Sequence, residues 1–311
     1  MPHDSIIERA ADLVRRTLAG ELPRPTVRAF FDEETSTASY VVHDPASGRA
    51  AILDSVLDFD PASGTLAYHS ARKIAAHVEN PGLTIDWLLE THVHADHLSA
   101  APWLQDRFGG TLAIGRGVID VQTHFGPVFN SGSSFARDGS QFDRLIEDGD
   151  AIDLGSIHGI AIAVPGHTCA DVAFLIGDAL FVGDTLFMPD AGTARTDFPG
   201  GDAAQLYRSI HRLFGLPDET RVFICHDYKA PGRDHFAWET TVAQQRAANV
   251  HVGGDINEAQ FVAARQARDA TLAMPRLILP SVQINMRAGH LPDAEPDGRR
   301  YLKIPIMESG R

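Results

Sequence analysis

Apolar residues recur at helical spacing over positions 3–19. Ile6, Ile7, Ala10, Leu13, Val14 and Leu18 share one broad face, and Pro23 and Pro25 stop the pattern. The period then shortens. Segments 26–31, 39–43 and 50–54 read as strands, with Asp44-Pro45-Ala46-Ser47-Gly48 as a turn between two of them. A helix is expected over 69–80, ended by Pro81-Gly82, and a mostly apolar strand over 84–90. Another helix over 99–108 stops at Gly109-Gly110, and a short strand follows at 111–114.

Residues 121–148 break this rhythm. Gly126-Pro127, Ser131-Gly132-Ser133-Ser134 and Asp138-Gly139-Ser140 punctuate a stretch with little periodicity, which reads as a long ordered loop inserted in the chain. Strand patterns resume at 151–154, 159–164, 171–176 and 179–182, with Gly177-Asp178 as a two-residue hairpin turn. A helix over 202–214 and a strand over 221–225 follow; 235–271 reads as mostly helical and the tail from Pro275 as irregular. Two groups of strands, each followed by a helix, fit an α/β sandwich of two sheets with helices on both outer faces. No glycine fingerprint follows the first strand, so a dinucleotide fold is disfavoured. No clean linker divides 1–311, so one catalytic domain is expected, extended at the C-terminal side from about 235.

Composition changes the picture in three ways. The net charge of −14 argues against nucleic acid or an anionic membrane surface as partner. No apolar run approaches the roughly 20 residues of a spanning helix, and the opening MPHDSIIERAADLVRR lacks the apolar core of a secretion signal, so a cytoplasmic location is expected. Two cysteines cannot build a disulfide framework, whereas 15 histidines, several clustered, point to chemistry.

The densest cluster is Thr91-His92-Val93-His94-Ala95-Asp96-His97, placed where a strand stops. Three further segments repeat one format, an apolar strand with a ligand-type residue just beyond it: Val164-Pro165-Gly166-His167, Val182-Gly183-Asp184 and Ile224-Cys225-His226. That format gathers imidazoles and carboxylates at one sheet edge. Such a set suits Zn, Fe or Mn, and the lack of a thiolate set argues against a structural zinc site. Cys225 is expected to face away from His226 into the core, by strand alternation. Cys169, two residues past His167, is left between a packed thiol and a pocket residue.

The order HxHxDH, His, Asp, His resembles the metal pattern of the metallo-β-lactamase superfamily, which implies its αββα fold. Longer stretches are similar to one branch of it: THVHADHLSA, GDTLFMPDAGTARTDFPGGD, CHDY and NMRAG resemble the persulfide dioxygenases, and GPVFN and FARDGSQFDRL the longer, β-lactamase-like bacterial type. The resemblance implies oxidation of glutathione persulfide by O2 to sulfite and glutathione. It implies one Fe(II) per chain held by His92, His167 and Asp184, which leaves positions open for O2 and substrate. His94, Asp96, His97 and His226 are then either residues around the iron or a second metal site, with Asp96 placed to orient a ligand or water and so act in catalysis alongside Tyr228. For glutathione it points to Arg195, Tyr228 and Arg287, with Lys229 adding charge nearby; an ion pair to Asp197 or Asp190 is the alternative role for Arg195. A homodimer is a family-level expectation. Cys169 stands where the family carries proline after GHT. The competing expectation is a glyoxalase II-like thioesterase with zinc or a mixed pair of metals: His92, His94 and His167 hold one, Asp96, His97 and His226 the other, and Asp184 bridges them.

Overall fold

The computed structural model describes residues 4–306. Asp4 caps α1 (Ser5–Leu18) by accepting from the N–H groups of Ile6 and Ile7. Next come β1 (Thr26–Asp32), β2 (Thr37–His43), β3 (Arg49–Leu53), β4 (Val56–Asp60) and β5 (Thr65–Ala67), then α2 (His69–Glu79) and β6 (Thr84–Glu90). The histidine cluster leads into β7 (Leu98–Ser99), α3 (Ala101–Phe108), β8 (Thr111–Gly115), α4 (Val118–Val128) and β9 (Arg144–Ile146). The second half carries β10 (Gly159–Ala163), β11 (Val172–Ile176), β12 (Ala179–Phe181), α5 (Ala203–Leu213), β13 (Arg221–Phe223) and β14 (Glu239–Thr241). Helices α6 (Val242–Ala248), α7 (Glu258–Asp269) and α8 (Ile278–Asn285) follow.

One mixed sheet has the order β1-β2-β3-β6-β8-β9 and the other β10-β11-β12-β13-β14; β4, β5 and β7 make a small third sheet. Strand alternation splits the core into three layers. Tyr40 and Val42 of β2 and Phe174 and Ile176 of β11 point between the two large sheets. Val41 and Leu88 point outward beneath Ile74 of α2, Leu104 of α3 and Val282 of α8. On the opposite face Ala173 and Leu175 meet Val14 of α1, Ile210 of α5 and Phe261 of α7. The result is the four-layer αββα arrangement expected from the sequence. No helix among the described residues is long and apolar enough to cross a membrane.

The structure departs from the sequence reading in several places, beginning with β4 and β5, where no strand was expected. The 121–148 stretch is not a loop throughout: α4 runs to Val128, with Val118 and Val121 buried. Its Pro127 sits in the last turn, where it forgoes the bond back to Thr123 and the helix stops one residue later. The strand expected at 151–154 is reduced to isolated pairings of Ala151 with Ile160 and Leu154 with Ile157. Segment 235–271 includes β14 as well as α6 and α7, and the tail is not wholly irregular, since α8 forms there with Pro280 in its first turn.

Candidate metal centre

Ligand-type side chains emerge from the ends of β3, β6, β10, β12 and β13, so all arrive at one rim of the sandwich. Two glycines make the approach possible. Gly183 has φ 53°, and a Cβ there would lie 2.6 Å from Thr91 Oγ1. Gly166 lets the turn before His167 pass so close to α5 that a Cβ would lie 2.4 Å from Leu206 N.

His92, His167 and Asp184 form one group, their ligand atoms within 4.8 Å of one another. Asp184 Oδ2 lies 3.6 Å from His167 Nε2 and 4.0 Å from His92 Nε2, while its Oδ1 lies 3.3 Å from His226 Nε2. Asp96 Oδ2 is 3.1 Å from His226 Nε2. The far nitrogen of each imidazole is held from behind. His167 Nδ1 donates to Arg195 O at 2.7 Å, and His97 Nδ1 to Leu98 O at 3.1 Å. His92 Nδ1 meets Thr91 Oγ1 at 3.1 Å, whose hydroxyl in turn donates to Asp54. His226 Nδ1 lies 3.3 Å from Ser36 O. These contacts fix the tautomer and aim the Nε2 lone pairs at the centre.

The centre itself is short of partners. His92 Nε2, His94 Nδ1, His97 Nε2, His226 Nε2, Asp96 Oδ2 and Asp184 Oδ1 are buried without a hydrogen bond. Buried polar atoms left like this are costly, and a bound cation would satisfy them together. Burial drives His97 down to about 3, and burial with the neighbouring imidazoles holds His92 well below its usual value, so both rings are neutral and able to donate to a cation. His94 differs. Burial opposes its charge, yet its Nε2 lies 3.0 Å from Asp54 Oδ1 and 3.3 Å from Glu90 Oε2, and these carboxylates raise it well above the ordinary imidazole.

A cavity of about 750 Å³ opens over the group, within the range of small-molecule sites. Asp96, His167 and Asp184 lie at its base; Phe187, Phe198 and Tyr228 supply apolar wall, and Arg195, Lys229, Arg268 and Arg276 supply positive charge. Tyr228 stacks beside His226, ring centres 6.1 Å apart, with much of its surface exposed. Lys229 places its ammonium 4.5 Å from the Phe236 ring centre.

Residues 32–226, from the end of β1 to His226, match the family model of the metallo-β-lactamase superfamily. The chain belongs to the metallo-β-lactamase superfamily. Members that resemble it carry several names. A probable metallo-hydrolase of Burkholderia pseudomallei is 54% identical over 291 residues, 90% of this chain and 99% of that one. Glyoxylase B2 of Dictyostelium discoideum is 42% identical over 90% of this chain and 96% of its own length. The mitochondrial persulfide dioxygenase ETHE1 of Bos taurus is 30% identical over 85% and 88%. The crystal structure of ETHE1 from Myxococcus xanthus superposes with a TM-score of 0.68 at 31% identity, covering 85% of this chain and all of that one.

Within this superfamily site, two sequence expectations need correction. Arg287 does not reach the cavity: its guanidinium lies 4.2 Å over the Phe135 ring and donates to Gln283 O, because the turn that ends α8 carries it toward the chain after α4. Cys225 is buried, but it does not turn from His226. Its Sγ lies 3.8 Å from Asp54 Oδ2 and falls among the ligand atoms of His94, His97 and His226. β13 ends at Phe223, so strand alternation no longer governs residue 225. Burial and the surrounding carboxylates push its thiol far up.

Sequence reasoning missed three residues. Asp54 ends an apolar strand in the same format as the recognised ligands, and that signal was available. Glu90 ends β6 immediately before the cluster. Asn285 opens the NMRAG run, but nothing local gave its role: its amide donates to His94 O and His97 O at 2.9 and 2.8 Å, and its carbonyl accepts from Ser99 N.

Proposed function

We propose that the chain is a persulfide dioxygenase, in which His92, His167 and Asp184 hold one Fe(II) and glutathione persulfide enters the cavity above them. The observation that carries this reading is the two-histidine, one-carboxylate group, from which Asp54 and Glu90 draw His94 aside. Iron held in that way supplies a redox centre with open positions for O2 and a sulfur ligand. The protein's part is orientation and charge. Arg195 O and Thr91 Oγ1 lock His167 and His92 with their Nε2 atoms forward. Phe187 and Phe198 shield the reacting sulfur from bulk water, while Arg195, Tyr228 and Lys229 at the wall and rim meet the polar tripeptide and its carboxylates. Asp96, beside His226, is placed to orient water for the hydration that completes sulfite. The balance is one persulfide, one O2 and one water to glutathione and sulfurous acid. The similarity to ETHE1 proteins supports the same reading.

A second reading is favoured by one observation. Asp184 turns one oxygen to His92 and His167 and the other to His226, as a bridging ligand of a metal pair would. With two metals, zinc or mixed, the site suits hydrolysis of a glutathione thioester, and glyoxylase B2 is the relative that agrees. Anaerobic metal analysis and an oxygen electrode separate the two. About one iron per chain and O2 uptake on adding glutathione persulfide support the dioxygenase. Two metals per chain and rapid hydrolysis of S-lactoylglutathione without O2 uptake overturn it.

A further inference from the structure

Beside the metal cavity lies a second, much smaller one that no ligand-type side chain lines. Two helices supply most of its wall. Val121 and Phe125 lie one turn apart on α4, and Ile278 and Val282 one turn apart on α8, so each pair turns one apolar stripe to the slot. Pro199 is exposed at its outer side, while Val93 and Ala95 of the histidine loop bound it from within. The polar side chain in the lining is that of Thr168, and its hydroxyl is engaged: it donates to Asp171 Oδ1 at 2.6 Å and accepts from Ala170 N at 3.1 Å. The slot leaves about 20 Å³ for the centre of a water-sized sphere, where roughly 10–15 Å³ is the least that holds one water. It has room for one very small molecule, and a water there would lack the two to four polar partners it needs, so the slot is dry.

Ala95 and Phe198 line this slot and the cavity of about 750 Å³ alike, so they form the partition between the two. Ala95 stands between His94 and Asp96 in the chain, and the Phe198 ring lies 5.4 Å from the His167 ring, edge to face. The slot thus ends one side chain away from the ligand group.

We infer that the slot is a binding site for O2, which it passes to the metal group across the partition of Ala95 and Phe198; the identity of the gas rests on the dioxygenase reading. Glutathione persulfide seated in the large cavity covers the approach from solvent, and the O2 consumed with it needs an entry that the substrate does not block. An apolar diatomic gives up no strong hydrogen bonds on leaving water, and it gains dispersion contact with methyl groups and rings on every side. Anions and hydrogen-bonding molecules, persulfide and sulfite included, find no partner there, so the slot selects by polarity as well as by size.

Xenon is the probe, because it occupies dry apolar cavities and its many electrons show in diffraction. Crystals of the parent pressurised with xenon should hold an atom between Val121, Phe198 and Val282. Val121→Phe fills the slot from α4 and should abolish that peak. Val121→Leu, one carbon larger than the parent, takes its place if circular dichroism shows that the ring disturbs packing. With iron-loaded protein and saturating glutathione persulfide, the plugged variant should lose several-fold in kcat/KM for O2. Its iron content, and its kcat/KM for glutathione persulfide at saturating O2, should stay parental. A slot in the parent that takes no xenon overturns the site. Parental kcat/KM for O2 in a variant that has lost its xenon overturns the delivery of O2. A parent that binds xenon in the slot yet takes up no O2 with any persulfide overturns the dioxygenase reading instead, so the two failures are told apart.

Discussion

Arg195 grips Asp197 with two parallel contacts, Nε to Oδ1 at 2.6 Å and Nη2 to Oδ2 at 2.7 Å. A third donor, Nη1, reaches Ala273 O. The backbone carbonyl of Arg195 orients His167. The ion pair that the sequence offered as the alternative role is therefore formed, and two of the five guanidinium N–H groups stay free for a substrate carboxylate at the cavity wall. Arg195→Ala is expected to lower kcat/KM for glutathione persulfide about 10- to 100-fold, the equivalent of about 1.5–3 kcal/mol. The loss should fall mainly on KM, with iron content near parental. A small persulfide lacking the glutathione carboxylates should be almost insensitive. An equal loss with both substrates in steady-state kinetics would mean that the residue only braces the His167 loop.

Asp184→Ala removes the one carboxylate that faces both histidine groups. Iron per chain, measured after anaerobic loading, should drop close to background, because two neutral imidazoles bind Fe(II) weakly. His226→Ala should keep most of its iron. If His226→Ala instead halves a two-metal content, the binuclear reading gains.

His251 lines the cavity, and its Nδ1 accepts from Thr193 N at 2.9 Å. Burial, with Arg265 and Arg268, pushes it from 6.5 down to about 4. The unfolded chain thus binds the extra proton between those values, and this contribution to stability is complete above about pH 6.5 and lost as pH falls toward 4. Because the ring is only partly buried, the loss is discounted to about 1 kcal/mol. Urea unfolding at pH 7 and pH 4.5 should show His251→Asn losing less on acidification than the parent. An identical loss in both would remove His251 from the account.

Asn285→Ala strips three hydrogen bonds from the histidine loop and leaves buried backbone groups without partners. A stability loss of roughly 2–3 kcal/mol is expected, with weaker metal retention on dialysis against a chelator. Parental stability and retention would show that the loop holds its shape without the clamp.

What the sequence disclosed follows from range. His92, His94, Asp96 and His97 share one short run, and His167, Asp184 and His226 each announce themselves by an apolar strand ending three or four residues earlier. Strand alternation sends Val41 and Tyr40 to opposite faces, because both lie inside a ladder. The same rule misplaced Cys225, because β13 had already ended. Asn285 contacts residues 188 and 191 positions away, and no local pattern encodes such a partner. Pro280 hid α8, since a proline reads as a breaker until its place in the first turn is known. Arg287 was assigned by motif alone, and a motif does not say which way the side chain beyond a helix end turns.

Asn285 also imposes an order on biosynthesis. Every recognised ligand has been synthesised by the time His226 leaves the ribosome, and the superfamily match is complete by then. Yet the segment 94–97 lacks its clamp until α8 emerges, nearly sixty residues later. A nascent chain exposing the first 226 residues holds all the ligands in a loop without its final shape. The loop that carries His94, Asp96 and His97 can therefore take its final shape only after α8 has been made and has docked, long after the strands that surround it.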